Sequence, residues 1–139
     1  MMRFLSKLKH DARGISAVEF ALIAPVLLTF LVGLAQLGTL YVANTGLKSA
    51  VGEGARFATI WPRPTNDEII ARITDRRFGL DPTYITAPTV TPATTAERAA
   101  NEGRNFLDIQ MSYEVRLNFI FFATSPFTIT ERRRAFVHN

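Results

Sequence analysis

Phe20-Ala-Leu-Ile-Ala-Pro-Val-Leu-Leu-Thr-Phe-Leu-Val-Gly-Leu-Ala-Gln-Leu-Gly-Thr-Leu-Tyr-Val-Ala43 is a run of 24 residues without a charge. Its only side chains with a hydroxyl or amide group are Thr29, Gln36, Thr39 and Tyr41. As an α-helix, rising about 1.5 Å per residue, the run spans about 36 Å, against about 30 Å for the hydrocarbon core of a bilayer. A buried core helix of this length needs a large protein around it. This chain has 139 residues, which leaves roughly 95 after the run, one small domain's worth. The run therefore reads as a membrane-embedded helix, and large enzyme scaffolds are excluded by size.

Upstream, residues 1–14 hold Arg3, Lys7, Lys9 and Arg13 against one acid, Asp11. A basic segment flanking an apolar helix stays in the cytoplasm. The chain after about Val42 is then expected outside. Residues 45–139 carry 12 basic and 10 acidic side chains, so most of the net +4 lies in the leader. A nucleic-acid partner needs a concentrated basic face on the folded part. The only cluster there is Arg132-Arg133-Arg134, and no nucleic acid is expected. Cysteine is absent, which removes disulfides and thiolate metal sites.

Two residues stand out within and beside the run. Pro25 lacks a backbone donor and crowds the preceding turn, so a kink or an unwound turn is expected near Ala21–Pro25. Glu19 lies at the cytoplasmic end of the run. One account of it is an interfacial carboxylate beside a helix N-terminus.

The surroundings of Glu19 suggest another. In Arg13-Gly14-Ile15-Ser16-Ala17-Val18-Glu19-Phe20 a basic leader ends in Gly, four uncharged residues follow, then an acid opens the apolar helix. The order resembles a class III signal sequence, which a prepilin peptidase cuts after the Gly. An ordinary secretory signal is cut beyond its apolar core and has no use for Glu there, although Gly33-Leu34-Ala35 keeps that competitor open. Gly14 offers a protease cleft a backbone without a side chain. Cleavage would free the α-amine of Ile15, four residues before Glu19. In an apolar assembly that cation and the carboxylate, of the same or a neighbouring chain, would lower each other's desolvation penalty.

Gly14-Ile-Ser-Ala-Val-Glu-Phe-Ala-Leu-Ile-Ala-Pro-Val-Leu-Leu28 resembles the N-terminal signature of the TadE-like family, minor pilins or pseudopilins of the tight-adherence (Tad) branch of type IV pili. Ala50-Val-Gly-Glu-Gly-Ala-Arg-Phe-Ala58 resembles the family's second block. The resemblance implies a prepilin peptidase as processing partner, with cleavage between Gly14 and Ile15, and Glu19 and Phe20 as assembly residues. It also implies association with other minor pilins (TadF- and TadG-like), a major Flp-type pilin, inner-membrane platform proteins and the lipid bilayer. No cofactor and no metal are implied. The chain is much shorter than TadG-type members, which carry a large extra domain, and its lack of Cys favours a TadE-type over a TadF-type member.

Beyond Ala43 the helix is expected to continue to about Trp61, where Pro62 and Pro64 stop it. Gly46, Ala50, Gly54 and Ala58 recur every four residues and form one stripe of small side chains. Such a stripe lets another backbone approach. The approaching element is either the chain's own sheet or a neighbouring subunit. Thr65-Asn66-Asp67-Glu68 reads as a helix cap, opening a helix from Asp67 to about Arg77 with Ile69, Ile70 and Ile73 on one face and Gly79 as its stop. Tyr84–Val90 reads as an edge strand because of Pro88. Thr91–Glu102, rich in Thr, Ala and Pro, reads as a loop.

The clearest strand signal is Asp108–Phe119. Ile109, Met111, Tyr113, Val115, Leu117 and Phe119 alternate with polar residues. Ile120-Phe121-Phe122 extends the apolar run, Ser125-Pro126 turns the chain, and Phe127–Val137 returns as a partner strand. Phe119–Phe122 reads as core, with Phe121 or Phe122 reaching a partner or the outer leaflet as the alternative. Arg132–Arg134 read as a solvated face or an edge guard.

Catalytic chemistry has little to work with. His10 lies in the leader and His138 beside the C-terminus, and no metal-ligand or nucleophile spacing is present. The fold class expected is α+β: a long N-terminal membrane helix running into a small periplasmic domain with a short helix and an antiparallel sheet of about three strands. The expected layout is a leader over 1–14, a membrane-embedded helix over 15–43, a helix extension over 44–61 and a periplasmic domain over 62–139. The expected function is that of a minor pilin held in the inner membrane as a single-pass protein. Its rivals are an uncleaved, membrane-anchored envelope binding domain unrelated to pili and a secreted domain released by signal peptidase.

Overall fold

A computed structural model describes residues 12–119 and 122–138. The leader through Asp11, and Ile120 and Phe121 of the aromatic cluster, lie outside the described residues. The long helix, α1, runs over Ala12–Phe57, 46 residues and thus about 69 Å. It passes through Pro25 as unbroken helix, so the unwound turn expected there is not found. Proline removes one donor from the ladder, the one that would have served Ala21, and the flanking hydrogen bonds hold the turn. The Thr29 hydroxyl donates to the Pro25 carbonyl at 2.8 Å, Thr39 to Ala35 at 3.1 Å and Thr45 to Tyr41 at 2.9 Å. The threonine hydroxyls in and just beyond the apolar run therefore have a partner within the helix itself.

α1 stops four residues before Trp61. The Ala58 amide still reaches Gly54 at 2.9 Å, but Thr59 and Ile60 bond only three residues back, to Arg56 and Phe57, at 3.2 Å each. These bonds tighten the last turn before Pro62. Thr65 then caps α2 (Asn66–Asp75): its hydroxyl accepts from the Glu68 amide, and the Glu68 carboxylate accepts from the Thr65 amide at 2.7 Å. Ile69 and Ile73 of α2 are fully buried, while Ile70 is half-buried. α2 ends at Asp75, and Gly79 does not stop it. With φ at +64°, Gly79 lies where its missing Cβ would come within 2.4 Å of Val42 Cγ1, so it serves a close approach to α1.

After a short 3-10 turn (Pro82–Tyr84), β1 (Ile85–Pro92) begins. It is an edge strand of a three-stranded antiparallel sheet ordered β1-β2-β3, with β2 over Phe106–Val115 and β3 over Phe127–Phe136. The register slips between Thr86 and Thr89, around Pro88, which has no donor for the ladder. The stretch read as a loop holds a helix, α3 (Thr95–Ala100), whose Thr94–Glu97 cap repeats the geometry at Thr65–Glu68. β2 stops at Val115. Leu117 and Phe119, which continue its alternation in sequence, lie past its end.

One face of the sheet lies on the C-terminal part of α1 and on α2. Ile109, Met111 and Ala135 meet Leu47, Ala50, Val51 and the two buried isoleucines of α2 in a single cluster. Glu53 of α1 fixes α2 in place: Arg72 Nη2 lies 2.9 Å from Glu53 Oε1, and Arg56 Nε lies 3.1 Å from Oε2. These two guanidiniums hold the Glu53 carboxyl below the usual carboxylate range, Arg56 contributing most.

Candidate functional site

The N-terminal half of α1 has almost no cover. An apolar window of mean hydropathy 2.3 has none of its residues buried. Leu22 and Val26, four residues apart, are 72% and 70% exposed, and Phe20 and Phe30 also project freely. A soluble protein does not leave such a surface to water. The helix is long and apolar enough to cross a membrane, and the structure supports single-pass anchoring.

Glu19 and Phe20 are exposed on this shaft. The backbone of Gly14 and Ile15 lies within α1, where the nitrogen of Ile15 is a peptide nitrogen. An α-amine exists there only if the Gly14–Ile15 bond is hydrolysed. Pro25 sits further along the shaft and forms one wall of an open apolar groove of about 620 Å³, shared with Phe30, Leu37, Phe119 and Phe122.

The stripe of small residues faces the chain's own domain. A Cβ on Gly46 would stand 2.0 Å from the Phe78 carbonyl oxygen, and one on Gly54 would stand 2.3 Å from Ile73 Cγ1. Ala50 and Ala58 are buried. The elements against the two glycines are the Phe78–Leu80 segment and α2; the sheet expected there packs on the flank of the same stripe. At least one wall of that contact is backbone, which explains why glycine is needed at position 46.

Asn118 and Phe119, past the end of β2, lie against α1, a contact that no local pattern announces. Phe119 stands over Gly33, where a Cβ would meet its ring at 3.4 Å. The Gln36 amide nitrogen donates to the Asn118 carbonyl at 3.0 Å. Phe119 and Phe122 stack with centroids 4.7 Å apart. The sequence signal available was the unbroken absence of charge from Leu117 to Thr130, and Gln36 as an amide inside an apolar run.

The outer face of the sheet carries Arg132 and Arg134, while Arg133, opposite Ile109, lies on the other face. Arg132 and Arg134 both bond Asp108, with Arg134 Nε at 3.0 Å from Oδ1. Arg133 turns to Glu131 at 3.0 Å. Arg134 also stacks over the Phe106 ring at 3.8 Å, which helps bury an aromatic on the solvent side of the sheet. Arg134 first, with Arg132, holds the Asp108 carboxyl below its usual range against the opposing effect of burial. The arginine run is thus tied to acids of its own sheet. Among the described residues no group of three or more His, Cys, Asp or Glu side chains converges.

No curated protein and no solved structure matches the chain. Residues 14–56 match the model of a family described as TadE-like protein. The matched stretch takes in Gly14, Glu19, Phe20, Pro25 and three of the four small residues of the stripe, and it ends one residue before α1 does. The exposed apolar shaft and most of the buried small-residue face therefore fall within one matched stretch: from Gly14 to Arg56 this chain is similar to the TadE-like family.

Proposed function

We propose that the protein is a minor pilin, or pseudopilin, of a Tad-type pilus. In this reading a prepilin peptidase cuts it after Gly14, and it acts in pilus initiation or assembly. The observation that carries the reading is the TadE-like match over residues 14–56, which associates the chain with the Tad pilus and its membrane machinery. The uncovered apolar half of α1 supports it, because a helix without its own cover has its free surface available to lipid and then to other pilin helices. The α1 segment over 15–43 would sit in the inner membrane, with residues 44–61 leading into the domain over 62–139 on the periplasmic side, as the basic leader favours.

Glu19 and the freed amine of Ile15 would form the assembly contact, with Phe20 beside them. The stripe at Gly46, Ala50, Gly54 and Ala58 would hold the domain on the helix, leaving the shaft for partners: other minor pilins, a major Flp-type pilin and the platform proteins. The chain itself supplies contact and no chemistry; the energy for assembly would come from elsewhere in the machine.

The decisive experiment is to sequence the N-terminus of the membrane-inserted protein after co-expression with a prepilin peptidase. Ile15 as first residue is expected, together with loss of processing in Gly14→Leu at unchanged membrane levels. Met1 or Met2 at the N-terminus would favour an uncleaved envelope anchor, and a start near Gly33–Gly38 a secreted domain.

A further inference from the structure

We infer that Phe119 and Phe122, between β2 and β3, belong to a second membrane element that enters the outer leaflet beside α1. The inference rests on α1 crossing the bilayer and does not depend on the pilus reading.

Depth follows from the helix rise. With the inner boundary at Glu19, a hydrocarbon core of about 30 Å reaches to about Thr39 at about 1.5 Å per residue. Gly33, which Phe119 touches, then lies about 9 Å below the outer boundary, and Gln36 about 5 Å below it. The alternative is to keep the tip in water. That would end the span near Leu31 and leave about 18 Å of helix from Phe20, far short of the core thickness. Glu19 would then be drawn into hydrocarbon.

The described residues on either side also carry main-chain hydrogen bonds of the kind a membrane-entering backbone needs. No charge occurs from Leu117 to Thr130. Main-chain polar groups need partners where water is absent. Near the tip the Phe119 amide donates to the Phe122 carbonyl at 2.8 Å, and the Thr124 amide to the Leu117 carbonyl at 3.0 Å. The Asn118 carbonyl takes the Gln36 amide of α1 at 3.0 Å. This assigns a purpose to the one amide in the apolar run. Just above the segment, Arg116 pairs with Glu114 and lies over the Tyr84 ring at 4.8 Å. Tyr84 and Tyr113 stand near Leu40 of α1. Tyrosine and arginine at that height match the headgroup level of a bilayer. The occupant of the groove between the tip and Pro25–Leu37 is accordingly a lipid acyl chain.

The absence of native cysteine makes the test direct. Phe122→Cys, Leu28→Cys and Ala96→Cys in the full chain are labelled with an environment-sensitive fluorophore. Each is reconstituted at one copy per nanodisc in phosphatidylcholine with phosphatidylglycerol. Leu28 is the mid-membrane reference and Ala96, exposed on α3, the aqueous one. Folding of each variant is checked by circular dichroism. The Phe122 probe should be blue-shifted, quenched by lipids brominated near the headgroup end of the chain, and several-fold less sensitive to iodide than the Ala96 probe. Iodide quenching equal to that at Ala96 would overturn the inference. If the Leu28 probe is also open to iodide, the spanning role of α1 falls with it. Shielding of Phe122 only in discs holding two copies would assign the groove to a second chain and overturn the lipid reading.

Discussion

The side-chain amide of Gln36 donates to the backbone carbonyl of Asn118 at 3.0 Å, tying α1 to a segment 82 residues further on. Gln36→Leu keeps the size and apolar fit but leaves that carbonyl without this donor. Loss of one hydrogen bond with the acceptor left desolvated costs about 1–3 kcal/mol. The expected result is faster amide exchange across residues 117–124 and a lower melting temperature in lipid, with helix content unchanged. Wild-type exchange in that segment would show that the bond does not hold it.

The three glycines between Gly46 and Gly54 should answer differently to the same substitution. A Cβ at Gly46 meets a carbonyl at 2.0 Å, one at Gly54 meets the side chain of Ile73, and one at Gly52 meets nothing within 4 Å. Backbone yields less readily than a side chain, and overpacking costs about 1–3 kcal/mol. Gly52→Ala instead gains helix propensity, about 1 kcal/mol. Thermal melts of the full chain in detergent should therefore rank Gly52→Ala above wild type, Gly54→Ala below it and Gly46→Ala lowest.

Acid should weaken the outer face of the sheet through Asp108. Its carboxyl titrates below the usual 3.8, held down by Arg134 and Arg132. A group whose folded pKa is depressed contributes stability above its unfolded value and loses it as pH falls through the folded one. The contribution is thus complete above about pH 4 and disappears below it. Asp108→Asn should be less stable than wild type at pH 7 and should show a flatter decline between neutral pH and pH 2. Parallel pH profiles for the two proteins would remove Asp108 from the acid response.

Glu19→Ala tests the assembly contact. The isolated chain can keep a freed Ile15 amine at the wet interface, so membrane levels should stay normal. In a helix bundle the amine is enclosed, and removing one partner of a buried pair costs about 3–5 kcal/mol. Co-purification of partner pilins and the count of surface filaments should both fall, and Glu19→Gln should behave alike. Normal piliation from either variant would leave Glu19 as an interfacial carboxylate only.

Local signals account for most of what the sequence revealed. The alternation around Ile109 and Met111 marks a strand with one buried face, and Thr65 with Glu68 marks a helix start. Both depend on residues a few positions apart. Thr94 and Glu97 carry the same capping spacing, but the Thr, Ala and Pro around them suggested a loop and masked it. The alternation of β2 ran on to Phe119 in sequence although the strand ends at Val115. Leu117 and Phe119 are apolar because of where the chain goes next, against Gly33 and Gln36, and periodicity carries no record of so distant a contact. At Pro25 the helix stays wound, because one missing donor leaves the ladder intact on either side.

The continuity of α1 has a mechanical meaning. Leu47, Ala50 and Val51 belong to the same helix as the shaft that ends near Gly14, and they are also the floor on which the sheet rests. A tilt of about 20°, ordinary for a spanning helix, swings the far end of a rod of about 69 Å sideways by roughly 24 Å. The domain follows as cargo on a lever, and traction along the axis reaches the core through one continuous helix from Ala12 to Phe57.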